Sequence, residues 1–173
     1  MVDGSEIKIE DWKERIESLF EIWQNHKGED YDEWKIDNYG YKLFAGYLSS
    51  AFLDEIFAMS LKAFDIDREV QVVIDSNERL FISYGTPGFV SFENQEEQLK
   101  QMKLPIKCWI HTHPFGTAYF SGTDRKTINS WKLLMESAIV LGDRQRMLWM
   151  QDDKTLQNFI FYEERMAYVG EEE

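Results

Sequence analysis

The chain has 173 residues, with 19 Lys and Arg against 32 Asp and Glu for a formal net charge of −13, and it carries three histidines and one cysteine. That length suits one domain of ordinary size, and 43% hydrophobic residues with 15% aromatics exclude global disorder. The negative field argues against nucleic acid or an anionic membrane as partner, and a single cysteine excludes a disulfide framework or a cysteine-built zinc ribbon.

In chain order, Trp12, Ile16, Leu19, Phe20 and Trp23 recur at spacings of three and four, which predicts a helix from Ile9 to about Gln24. Gly28 is its expected stop. The apolar stripe reads as a packing face with an acidic, solvated outer side, partner docking being the alternative; residues 1–36, with 11 acidic and 5 basic side chains, read as an accessory helix and linker outside the core, open to a homodimer. Residues 37–173 read as the main domain. It is expected to begin with a strand over Tyr41 to Leu48 and a helix carrying Leu53, Ile56, Phe57, Leu61 and Phe64 on one side. Glu69 to Asp75 and Arg79 to Tyr84 then read as strands paired around Ser76 and Asn77. A loop opens at Gly85 and runs to Phe92, and a short helix covers Gln95 to Lys103. A strand over Ile106 to His113 precedes a helix over Asp124 to Met135 and a strand over Ser137 to Gly142. Arg146 to Met150 and Asn158 to Tyr162 complete an antiparallel pair. The fold class expected is α/β or α+β, a mixed β-sheet flanked by helices. No apolar run reaches the length of a membrane span, and the N-terminus lacks the basic-then-apolar layout of a signal peptide, so a cytoplasmic protein is expected.

Chemistry concentrates in one stretch, His111-Thr112-His113-Pro114, followed after six intervening residues by Ser121-Gly122-Thr123-Asp124. Side chains alternate along a strand, so His111 and His113 share a face with Trp109, while Cys108 and Ile110 point the other way. Two imidazoles on a strand end and a carboxylate at the start of the next helix make a His₂-carboxylate metal site with one open position, as hydrolytic zinc requires. Hydrolysis also needs a carboxylate to move the water proton and a donor for the carbonyl oxygen. Ser121 stands where that donor is needed; a helix N-cap is its alternative role. Five positions of fixed residue type at fixed offsets arise by chance in only on the order of 10⁻⁵ to 10⁻⁴ of chains this long.

The segment HTHPFGTAYFSGTD resembles the signature H-x-H-P-x6-S-x-x-D of the JAMM/MPN+ (JAB domain) metalloproteases, and WIHTHP and TAYFS are similar to its deubiquitinase branch. The resemblance implies a cytidine-deaminase-like JAB core, here with an extra N-terminal helix. It implies one catalytic zinc per chain on His111, His113 and Asp124, oxyanion support from Ser121, and isopeptidase activity on a ubiquitin-like protein or its conjugates. It also implies a catalytic glutamate early on the strand after the first core helix. Glu69 occupies that place although the family's glycines are missing there; Glu55 is the rival, on a stretch that fits a helix better. The resemblance leaves open a zinc hydrolase acting on a sulfur-carrier protein or small peptide, and a non-catalytic MPN scaffold. No Cys or His follows Asp124, so the second, structural zinc site of some relatives is not expected. Cys108 reads as a small buried residue, and Gly85 to Phe92 with Phe115 to Phe120 as walls of a groove for an extended modifier tail.

Overall fold

The computed structural model describes residues 9–26, 48, 50–63, 67–85, 96–114, 116–143, 145–150 and 156–162. They form α1 (Ile9–His26), α2 (Ser50–Lys62), β1 (Val70–Ile74), β2 (Leu80–Tyr84), α3 (Glu96–Gln101), β3 (Cys108–Thr112), α4 (Gly122–Trp131) with a 3₁₀ turn at Lys132–Leu134, β4 (Ser137–Gly142), β5 (Gln145–Met150) and β6 (Leu156–Tyr162). The six strands make one mixed sheet in the order β2-β1-β3-β4-β5-β6. The β3–β4 pair at its centre is parallel and the other four pairs are antiparallel.

Both faces of the sheet are covered, which explains why VQVVI and SAIVLG are mostly apolar, with every residue buried. Strand parity sorts the side chains. Val70, Val72, Ile74, Cys108, Ile110, Ile139, Leu141 and Leu148 pack with α1 and α2 on one face. Val73, Trp109, Ala138, Val140 and Met147 pack with Met102, Ala118, Phe120, Ile128 and Met135 on the other. Full burial of a Leu or Phe side chain stabilises by about 1.5–3 kcal/mol, so each layer is a substantial part of the fold's stability.

Helix α1 packs through its apolar stripe. Leu19 and Trp23 are buried in the same core as α2 and the sheet, and the Trp23 ring lies 4.8 Å from that of Phe52. Its indole Nε1–H donates to the Glu78 carbonyl in the β1–β2 turn at 3.1 Å. The apolar stripe that would have served a homodimer is therefore spent largely inside the chain; Phe20 at its margin remains exposed. The face of α2 also differs in detail. Phe52, Leu53, Ile56 and Met59 are buried, Phe57 is half-buried and Leu61 is exposed, because the helix is packed between the sheet and α1. Phe64 lies outside the described residues, as do 41–47 of the strand expected over Tyr41 to Leu48; Leu48 itself is buried.

The β1–β2 connection is organised by one carboxylate. Asp75 accepts hydrogen bonds at Oδ1 from the backbone N–H of Asn77 (3.0 Å) and Arg79 (2.9 Å). Its Oδ2 accepts from Arg79 Nε and Nη2 and from the Lys103 backbone N–H at 3.1, 2.9 and 2.9 Å. Glu78 takes φ 62° in this turn, a conformation few non-glycine residues adopt, and the Asp75 bonds on either side of it hold it there.

Candidate metal centre

The site lies at the end of β3. His111 and Thr112 are its last residues, and the His113 N–H continues the pairing with β4 by donating to the Leu141 carbonyl at 2.7 Å. The chain then crosses to α4, whose first turn is fixed by a capping box. Ser121 Oγ accepts from the Asp124 N–H at 3.1 Å, and Asp124 Oδ2 accepts from the Ser121 N–H at 2.9 Å. This reciprocal pair starts α4 at Gly122, two residues earlier than the apolar pattern indicates. It also turns the Asp124 carboxylate back toward β3.

His111 Nε2 lies 3.0 Å and His113 Nε2 3.3 Å from Asp124 Oδ2. One ligand atom from each of the three residues falls within 4.8 Å of the others. His111 and Asp124 are buried and His113 nearly so. The two histidines are held differently. His113 hydrogen-bonds to Asp124 and to the Thr117 backbone, while its ring meets Tyr119 edge-on at 4.8 Å. Neither ring nitrogen of His111 makes a hydrogen bond among the described residues, although Nε2 lies 3.0 Å from Asp124 Oδ2. The His111 ring instead stacks on the Trp109 indole, with centroids 4.5 Å apart and planes 16° from parallel.

Electrostatics follow from burial. Burial by itself opposes ionisation of Asp124, but the electrostatic pull of His111, the nearby His113 and the bond from the Ser121 N–H outweigh it and hold the carboxyl well below its ordinary range. Burial likewise lowers the His113 pKa, and Asp124 and Glu69 with the Thr117 bond more than reverse this, leaving it raised. Glu69 is 7% exposed, and burial raises its pKa to about 7, with His113 lowering it and Asp124 raising it further. A buried imidazole with no hydrogen bond, facing a second imidazole and an ionised carboxylate, is costly unless a cation joins them. The donor set of two nitrogens and one oxygen suits a first-row divalent metal better than calcium or magnesium. The residues fit a metal ion.

Glu69 stands just before β1. The β1–β3 register pairs Gln71 with His111. The Val70 N–H reaches Thr112 Oγ1 at 2.9 Å, so one further step places Glu69 opposite His113. Glu55 is elsewhere. It projects from α2 on the other face of the sheet and takes both its bonds from Arg15 Nη1, at 3.0 and 2.9 Å. Ser121 lies at the rim, with both the N-cap role and a free hydroxyl proton compatible with its bond to Asp124. Cys108 is fully buried on the opposite face, and burial pushes its thiol up to about 12.

Three features lie beyond the motif. Trp109 Nε1–H donates to Gln71 Oε1 at 2.8 Å, and Gln71 Nε2–H donates to Ser83 Oγ at 3.2 Å. Gly142 meets the backbone of the loop that leads to Ser121. Parity already puts Gln71 on the face of Glu69, but only cross-strand register shows that it neighbours His111. Phe115 and residues 86–92, expected as groove walls, lie outside the described residues. No helix among the described residues is long and apolar enough to cross a membrane. In comparison with known proteins, no family model matches the chain and no curated protein matches it.

Proposed function

We propose that this chain is a zinc-dependent isopeptidase of the JAMM/MPN+ kind, a cytoplasmic enzyme that cleaves ubiquitin-like modifiers from conjugates or precursors. The observation that carries the reading is the convergence of His111, His113 and Asp124 at the end of β3, with buried Glu69 beside them. A mixed sheet covered on both faces, with its parallel β3–β4 pair at the metal end, is consistent with a cytidine-deaminase-like JAB core.

In this reading His111, His113 and Asp124 would hold zinc, which would supply Lewis acidity toward water and the substrate carbonyl. Glu69 takes the water proton and returns it to the leaving amine. Burial beside the ligands favours the protonated form of this carboxyl, which lets it hold the proton between the two transfers. Ser121 uses an oxygen lone pair for the Asp124 N–H, so its hydroxyl proton remains to donate to the carbonyl oxygen as charge develops there. Exposed Tyr119, edge-on to His113, borders the approach of the substrate.

Metal analysis and cleavage of ubiquitin-like fusions test this together. One zinc per chain and turnover abolished by a chelator are expected. Glu69→Gln should keep zinc while turnover falls by about 10²–10⁴. Absence of zinc, or cleavage that survives the chelator, would refute the proposal; full turnover in Glu69→Gln would remove Glu69 from it.

A further inference from the structure

A metal-ligating histidine ordinarily donates its second ring N–H to a carboxylate or carbonyl, and that bond sets the ring's rotation. His113 has such an anchor in the Thr117 backbone. His111 has none: both of its nitrogens are buried without a hydrogen bond among the described residues. Its cross-strand neighbour Gln71 stands in register beside it, yet uses its amide elsewhere. Gln71 Oε1 accepts from the Trp109 indole and Gln71 Nε2–H goes to Ser83 Oγ on β2. The indole so anchored lies flat against the His111 ring.

We infer that Trp109 and Gln71 are positioning residues for the metal site: the chain Ser83–Gln71–Trp109, running across β2, β1 and β3, fixes the indole, and the indole plane fixes the rotation of His111. The inference rests on the metal reading above. A flat stack at 16° leaves the imidazole edge free while preventing the ring from turning about χ2. A hydrogen bond from Gln71 to His111 would instead occupy one of its nitrogens. Every member of the chain is buried, so no water competes for the amide or the indole N–H. The arrangement also gives the buried Gln71 amide a partner at each end, the Trp109 indole and Ser83 Oγ.

The test is zinc affinity of the intact chain, measured by competition with a chromophoric chelator, with the cobalt-substituted absorption spectrum as a report on ligand geometry. Trp109→Leu should weaken zinc binding by about 10–100-fold and alter the cobalt bands. Trp109→Phe keeps a ring to stack on and should retain more affinity than Trp109→Leu. Gln71→Leu should weaken binding in the same direction while leaving His111 itself untouched. Ile110→Ala, on the opposite face of the same strand, removes packing of similar burial and should lower stability without changing the cobalt spectrum. Should Trp109→Leu fail to fold, Trp109→Phe and Gln71→Leu carry the test. Unchanged affinity in folded Trp109→Leu and Gln71→Leu, or losses no larger than those of Ile110→Ala, would overturn the inference while leaving the metal site standing. A wild-type chain that takes up no zinc would overturn the metal reading and this inference with it.

Discussion

Gly142→Ala is expected to damage the site without touching any proposed ligand. A Cβ at this position would stand 2.4 Å from the Ala118 nitrogen, 2.6 Å from the Thr117 carbonyl carbon and 2.7 Å from the Gly116 oxygen. All three are backbone atoms, so no side chain can swing aside. The shortest approach is about 1 Å inside ordinary van der Waals contact, and the loop must lift by a similar amount. The loop is pinned at the same place by the Asp143 N–H on the Gly116 carbonyl at 2.9 Å and by Gln145 Oε1, which accepts from the Ala118 N–H at 3.2 Å. Lifting it strains both bonds and moves the Thr117 backbone away from the His113 ring. Overpacking of this kind costs about 1–3 kcal/mol. For a chain of this size that lowers Tm by about 2–12 °C. Because Ser121 follows on the same loop, a shift near 1 Å should also lower kcat/KM by about 100-fold. Thermal unfolding and zinc-dependent cleavage of a modifier fusion measure the two effects. A Tm within about 1 °C of wild type would show that the close approach does not exist. A normal kcat/KM with a lowered Tm would show that the loop does not set the catalytic geometry.

Asp75→Ala should cost about 3 kcal/mol, because backbone and guanidinium donors lose a charged acceptor together; urea unfolding measures it. Burial raises the Asp75 pKa, but the hydrogen bonds from Lys103 and Arg79 outweigh it and hold the carboxyl below its ordinary range. A depressed pKa stabilises the fold fully above the unfolded value of about 3.9, and that contribution disappears as pH falls through the folded value. The gap between wild type and Asp75→Ala should therefore be constant near neutrality and narrow in acid; a gap that widens in acid would contradict this. Ser121→Ala should lose about 1 kcal/mol of helix-cap stability. It should lower kcat by about 10²–10³ while zinc affinity holds, since Asp124 keeps its bond from the residue 121 backbone N–H. Cys108 should resist iodoacetamide at pH 8 until the chain unfolds, as a thiol raised to about 12 carries almost no thiolate; rapid labelling of the native protein would refute its burial.

Local pattern was enough to read much of the sheet. Period-two alternation correctly separated Trp109 from Cys108 and Ile110, and Glu69, Gln71 and Val73 from Val70, Val72 and Ile74, because a strand offers a side chain only two directions. The helical spacing of Leu53, Ile56, Phe57, Leu61 and Phe64 placed Glu55 on a helix rather than a strand, and the structure pairs it with Arg15 on the far face. The face of α2 was less legible, since a helix packed on two sides has no single apolar stripe. The start of α4 followed from a capping box that hydropathy does not register. Helix α1 was legible as a packing helix, and Leu19 and Trp23 pack as that reading has it, but what they pack against was not. An amphipathic stripe states that something covers it, not whether the cover is the same chain.

By itself the sequence determined the donor chemistry: which residue types stand at 111, 113, 121 and 124, on a strand end and a helix start. Local covalent spacing and strand or helix geometry suffice for that. Only the tertiary structure decided that Asp124 turns back to within 3.0 Å of His111, that Glu69 comes opposite His113, and that Gln71 holds the indole on which His111 rests. It also decided that Gly142 lets the loop approach β4. Each of these depends on the register of strands or on the meeting of segments many residues apart, which packing and hydrogen bonding settle for the chain as a whole. The charge of −13 excluded classes of partner, and the placement of two of the three histidines at one site gave the remaining classes their chemistry.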